Sequence, residues 1–219
     1  NLQVAIYESL RILAYYLDCD YAEAWMLNLN HSKLNLHTNW FADESIALDF
    51  TGLAFQDLKR GEFLPGMAWA TQRIQEWDLS HGFIPSTEKR IIDKLDCRSG
   101  VALPILFRGQ VIAVFCFYST EEHISNDTDF FDNVSRQIGV DLSRRKAEDE
   151  LNIFFNSSPD FLCMLDADFC FTRLNKVATE WLYGTERSLM GRSVFDYIHD
   201  EDKEKTLQQI SVLAQTRQV

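Results

Sequence analysis

The feature that most constrains this chain is a pair of apolar segments around a tight polar turn: Gly100-Val-Ala-Leu-Pro-Ile-Leu-Phe107, then Arg108-Gly109-Gln110, then Val111-Ile-Ala-Val-Phe-Cys-Phe-Tyr118. Their β-branched and aromatic content favours strands, and their near-continuous apolar character suits strands buried on both faces. The turn between them makes an antiparallel hairpin. Each run is too short to cross a bilayer, which takes about 20 residues. A hairpin buried on both sides needs neighbours. Tyr21-Ala-Glu-Ala-Trp-Met-Leu-Asn-Leu29, the polar Asn30-His-Ser-Lys33 turn and Leu34-Asn-Leu-His-Thr-Asn-Trp40 supply a second hairpin.

Helices flank this sheet. Leu2, Ile6, Leu10, Leu13 and Leu17 recur at steps of three and four, the period of an amphipathic helix. A longer helix is expected from about Asn126 to Asn152, capped by Asn126 or Asp127, with Phe130, Phe131, Val134, Ile138, Leu142 and Leu151 as its apolar positions and Gly139 as its weak point. Between Asp43 and Pro85 the glycines and prolines predict loops and short helices, with a short strand at Arg73–Leu79 and a polar helix at Ser86–Leu95 to follow. Ser157-Ser-Pro-Asp160 ends the long helix, after which Phe161–Asp166 and Phe169–Leu174 predict another hairpin, with short helices through Trp181, Met190 and Tyr197. The fold class is α+β: an antiparallel sheet flanked by helices over 1–150, joined by a long helix to a smaller α/β module over 151–219. A length of 219 residues suits two modules.

Composition narrows the function. The net charge of −12 and the absence of a basic stripe argue against nucleic acid, whose phosphates are bound through Lys and Arg. The Arg144-Arg145-Lys146 cluster lies among acids and reads as a solvated helix face. Cys19, Cys97, Cys116, Cys163 and Cys170 are odd in number with no C-x-x-C spacing, which predicts a reducing, cytoplasmic setting with neither disulfide framework nor zinc knuckle. No membrane contact is expected from this region. The chain begins at Asn1 without an initiator Met, and the expectation is an excerpt of a longer product.

Two resemblances now follow. The flanking helices, Phe63-Leu-Pro-Gly-Met-Ala-Trp-Ala-Thr71 and Arg98-Ser-Gly-Val-Ala-Leu-Pro-Ile105 with its Gly-turned strand pair resemble a GAF domain. Phe154-Phe-Asn-Ser-Ser-Pro-Asp-Phe-Leu-Cys163 running into Leu165-Asp166, Phe171-Thr-Arg-Leu-Asn175 and Val194-Phe-Asp-Tyr-Ile-His-Asp-Glu-Asp202 resemble the first part of a PAS domain of sensor kinases. Asn175-Lys-Val177 stands where that family often shows Asn-Pro-Ala, and His199-Asp-Glu-Asp202 where it shows His-Pro-Asp-Asp. The resemblance implies that the PAS part is incomplete, since three further strands normally close that fold.

What the likeness implies is a sensory region with no catalytic machinery of its own, holding a small molecule between sheet and central loops. Trp40, Phe55, Met67, Trp69, Trp77, Asp78, His81, Phe83, Cys97, Ser99 and Phe115 are its candidate ligand positions, apolar walls with a few polar handles. Covalent bilin is disfavoured because Cys97 sits late on its helix with no adjacent His, and cyclic nucleotide because the Asn-Lys-Phe-Asp-Glu signature is missing. Haem has only His81 as a loop-borne axial candidate, which argues against it too. No metal spacing links the histidines. Leu2, Ile6, Leu10, Leu13, Val134, Ile138 and Leu142 are candidates for a helical homodimer seam that passes signals to a downstream kinase or other output domain; the competing reading has them covering their own sheet. A cyclic-di-GMP cyclase or phosphodiesterase is the rival output, and a stand-alone GAF-type methionine sulfoxide reductase the rival of another class.

Overall fold

The computed structural model describes residues 1–28, 30–43, 57–78, 95–124 and 127–215, and the chain divides between Ala147 and Glu148 into two compact units. In the first unit, α1 (Leu2–Tyr16) opens on Asn1, whose side-chain oxygen accepts from the Gln3 amide at 2.9 Å. Ile6, Leu10, Leu13 and Ala14 form its buried stripe. β1 (Tyr21–Leu27) and β2 (Leu34–Phe41) pair antiparallel with a register shift between Ala24 and Trp25. Then come α2 (Phe63–Thr71), β3 (Gln75–Asp78), β4 (Ser99–Phe107) and β5 (Gln110–Ser119). The sheet order is β2-β1-β5-β4-β3, with every pairing antiparallel.

The expected central hairpin is there, and its turn explains itself. Arg108 and Gly109 both take positive φ, the backbone that lets a two-residue turn match the strand twist. Strand alternation then sorts side chains into two cores. On one face Val101, Leu103, Ile105, Ala113, Phe115 and Phe117 pack with Ile6, Leu10, Leu13, Phe131 and Leu142; on the other Ala102, Val114, Cys116 and Tyr118 pack with Leu64, Ala68 and Trp69 of α2. Among the described residues, the sheet is therefore covered on both sides.

α3 (Thr128–Ser157) is one continuous helix that runs five residues past the expected end, because nothing in the sequence breaks it before Ser158-Pro159. It grips β4 closely. Ser135 Oγ donates to the Pro104 carbonyl at 2.5 Å and accepts from the Leu106 amide at 3.2 Å, beside the register shift at Ile105/Leu106. One turn on, a Cβ at Gly139 would stand 2.0 Å from the Leu106 carbonyl oxygen. The glycine expected to be a weak point is thus a close-contact point.

The second unit carries β6 (Cys163–Leu165) and β7 (Phe171–Leu174), then α4 (Lys176–Trp181), α5 (Glu186–Leu189), a 3-10 turn (Val194–Asp196) and α6 (Asp200–Gln215). Asp166 Oδ1 holds the hairpin turn by accepting from the Asp168 and Cys170 amides at 3.0 and 2.8 Å. The core is small: Phe171, Leu174, Ala178 and Leu189, with Cys163, Leu165, Leu182 and Val194 against them. Asn175 lies fully buried before α4. Its Oδ1 accepts from the Ala178 amide at 2.9 Å and the Leu162 amide at 3.2 Å, while Nδ2 donates to the Asp160 carbonyl at 2.8 Å.

This packing bears on the candidate dimer seam. Ile6, Leu10, Leu13 and Leu142 are buried in their own unit's core, and Leu2, Val134 and Ile138 pack against it half-buried. The competing reading, in which these residues cover their own sheet, accounts for the buried ones. Val4, Ile12, Tyr15 and Tyr16 on α1 and Val140, Leu151, Ile153 and Phe154 on α3 are among the exposed large hydrophobic positions.

Candidate functional site

The face of the sheet beneath α2 holds the chemistry. Register places Phe41, Tyr21, Tyr118, Gly100 and Trp77 in one row across all five strands. The Tyr21 ring lies 4.6 Å from that of Phe41 and 5.8 Å from that of Tyr118, centroid to centroid. Gly100 adds no side chain, so the aromatic row is interrupted between Tyr118 and Trp77. The adjacent row reads Asn39, Glu23, Cys116, Ala102 and Gln75.

Three of the candidate ligand residues share this face: Trp69 from α2, Trp77 from β3 and Cys97 just before β4. Trp77 is 9% exposed, and its indole Nε1 has no hydrogen-bond partner among the described residues. Asp78 and Ser99 are register partners at the open ends of β3 and β4. With Glu76, Trp77, Val101, His123 and Ile124 they line a cavity of about 140 Å³ at the β3–β4 edge; Val101 and Ile124 belong to the α1-side core, so this cavity is separate from the surface that Trp69 and Cys97 share. Ser99 Oγ donates to the Glu121 carbonyl at 2.8 Å, which fixes the rim of that cavity.

Two candidates belong elsewhere. Trp40 and Phe115 pack on the α1 side, since Trp40 is paired with Ala22 and Phe115 with Ala24, both of which point into that core. Strand parity settles this: Phe115 lies between Val114 and Cys116, and only those two face α2. Met67 is 38% exposed, on the outer side of α2. Phe55, His81 and Phe83 lie outside the described residues.

The thiols here are poor nucleophiles at neutral pH. Burial, then the negative charges of Asp20 and Asp96, push the Cys97 thiol up to about 12. Burial also pushes Cys19 up strongly. Reactive cysteines need the opposite environment, exposed and electropositive. Among the described residues no group of His, Cys, Asp and Glu could hold a metal ion.

Sequence reading missed Glu23. It is 3% exposed and accepts from the Tyr21 hydroxyl at 2.6 Å and the Trp25 indole N–H at 2.8 Å. Burial holds its carboxyl above the ordinary glutamate range, with the two hydrogen bonds pulling the other way. The signal was there in Tyr21-Ala-Glu-Ala-Trp25, where period two puts the acid between two aromatic donors on one face.

Comparison with known proteins decides the family. The GAF domain profile matches residues 1–142, and that of the PAS fold matches 155–219. The chain belongs to the GAF family. GAF and PAS domains are sensor modules of signalling proteins. Solved structures agree on the fold of the GAF unit. The GAF domain of a phosphoenolpyruvate-protein phosphotransferase from Coxiella burnetii is 15% identical with a TM-score of 0.53, covering 68% of this chain and 87% of that one. A GAF domain/HD domain protein from Geobacter sulfurreducens is 12% identical with a TM-score of 0.52, covering 67% and 95%. Free methionine-R-sulfoxide reductase from Neisseria meningitidis, solved with its substrate, is 14% identical with a TM-score of 0.50, covering 67% and 81%. None of the curated proteins compared matches the sequence. Among the described residues, no helix is long and apolar enough to cross a membrane.

Proposed function

We propose that this chain is the sensory region of a two-component sensor histidine kinase, in which the GAF unit binds a small molecule on the α2 face of its sheet. The observation that carries the reading is the Trp77 indole N–H, buried and without an acceptor among the described residues. A buried donor left unpaired costs about 1–3 kcal/mol, which a ligand carbonyl or ring nitrogen would recover. Trp69 and Cys97 supply apolar wall on the same face as the Trp77 N–H, an apolar surface with a polar handle, as ligand pockets use. Phe55, His81 and Phe83 remain candidates for the same chamber.

Native mass spectrometry of the purified chain tests this. A retained small-molecule mass in the native protein that is lost in Trp77→Phe supports the reading; bare protein in both overturns it. The same spectrum reports subunit number. A homodimer is favoured by the exposed apolar side chains of Val4, Ile12 and Val140, on the outward faces of α1 and α3.

The kinase assignment rests on the likeness of Phe154–Asp166 to PAS repeats of such kinases. Phosphohistidine formed from ATP by the full-length gene product is the expected result, whereas turnover of cyclic di-GMP would assign the rival output. The redox alternative needs a thiolate, and burial of Cys97 and Cys19 works against one. A sulfoxide-reduction assay unchanged by Cys97→Ser and Cys116→Ser removes it. A reducing cytoplasmic setting accords with the free thiols of all five cysteines.

A further inference from the structure

The ligand reading leaves Glu23 unused. It is an ionisable group in the middle of β1, on the sensory face, with a buried aromatic donor two residues away on either side. The described groups that face it are Tyr21 and Trp25 on its own strand, Asn39 at its register position on β2, and Cys116 at its register position on β5, with Tyr118 one row along. The titratable ones are Tyr21, Cys116 and Tyr118, and none is a cation. Among the described residues Glu23 has no ion pair. A carboxylate buried this way has two donors but no countercharge, so desolvation outweighs the hydrogen bonds and its affinity for a proton rises.

The network can take that proton without losing a hydrogen bond. While ionised, Glu23 accepts from both neighbours. Once protonated, one oxygen still accepts from the Trp25 N–H, and the new O–H can donate to the Tyr21 oxygen, because a phenol both donates and accepts. The Tyr21 O–H is then free to donate to the Asn39 side-chain oxygen; the Asn39 amide already bonds the phenol. Both proton arrangements are satisfied, and they differ in the direction of the Glu23–Tyr21 bond and in whether Tyr21 donates within β1 or to β2.

We propose that Glu23 is a proton-operated switch in the sensory sheet, in which uptake of one proton from solvent reverses the Glu23–Tyr21 hydrogen bond and turns the Tyr21 O–H onto Asn39 of β2. The strand register shift at Ala24/Trp25 lies one residue away, so the exchange falls where the β1–β2 ladder is already irregular. This device goes beyond ligand sensing and needs no occupant in the chamber.

The test is a titration of the 219-residue chain from about pH 4 to about pH 8, followed by tryptophan fluorescence and near-ultraviolet circular dichroism. A one-proton transition with its midpoint above the ordinary glutamate value is expected, absent in Glu23→Gln. Tyr21→Phe removes a donor that favours the charged form, so its midpoint should move further up. Superimposable curves for the native protein and Glu23→Gln, or a Tyr21→Phe midpoint that stays or falls, would overturn the proposal. His37 titrates in the same range but is present in every variant and cancels in the difference. If Glu23→Gln does not fold, the direction of the Tyr21→Phe shift decides alone. A bare mass in native spectrometry sinks the ligand reading and leaves this titration untouched, so the two fail separately.

Discussion

Glu23 in the first unit and Asn175 in the second are both buried, hydrogen-bonded polar side chains, and they are opposite in kind. Asn175 in the second unit is neutral and has both its oxygen and its nitrogen engaged with backbone, at Ala178, Leu162 and Asp160. Glu23 in the first is ionisable, bonded only to side chains of its own strand, and short of a countercharge. The surrounding cores explain why both survive. Among the described residues, the second unit's core cluster has four buried apolar residues and depends on polar bonds to close loop, strand and helix onto one another. The first has a two-sided apolar core large enough to tolerate a costly group. A neutral, satisfied hub stabilises; an ionisable one in a robust core is free to respond.

Removing Asn175 should break the comparison most severely. Asn175→Ala strips the α4 cap and leaves the Leu162 and Ala178 amides without their acceptor, at about 2–4 kcal/mol. Hydrogen exchange should show protection lost across β7 and α4 but kept in β4 and β5; equal loss in both units would contradict their independence. Asn175→Asp should import the behaviour of Glu23. It keeps the two accepted bonds but turns the donor toward Asp160 into a charge beside a carbonyl, costing about 2–3 kcal/mol at neutral pH. Its stability should recover as the solution is acidified, measured by urea unfolding at several pH values.

Glu23→Gln is the reverse exchange. Because the carboxyl is held above its ordinary value in the fold, its stabilising contribution is complete below the unfolded value and is lost as pH rises through the folded one. Glu23→Gln should therefore flatten the pH dependence of unfolding, with a gain at neutral pH and none in acid. An unchanged slope would show that Glu23 is ionised at no cost. Trp77→Phe should move stability least, within about 1 kcal/mol, since the deleted N–H has no partner to lose among the described residues. A larger loss in thermal melts would mean that Trp77 matters through packing.

Much of this was legible beforehand because apolar pattern dominates strands and helices. The hairpin around Arg108-Gly109, the stripe on α1 and the break at Ser158-Pro159 are each local signals. Asn175 was visible within the Phe171–Asn175 motif. What failed was sidedness. Trp40 and Phe115 have the composition of ligand walls, but which face a strand residue joins is set by register against neighbours and by shifts such as that at Ala24/Trp25. The dimer seam was ambiguous for a related cause, because an apolar stripe does not say whose core it enters. Gly139 reads as a defect until its helix is laid against Leu106.

Those two sheet faces turn β5 into something like a reading frame. Val114, Cys116 and Tyr118 serve the α2 side and Ala113, Phe115 and Phe117 the other, in strict alternation. Insertion of a single residue within β5 would transpose the two sets from that point on, while a two-residue insertion would restore the phase. Lineages carrying this domain should therefore vary in length at the Arg108–Gly109 turn, and should tolerate paired changes within the strand far better than single ones.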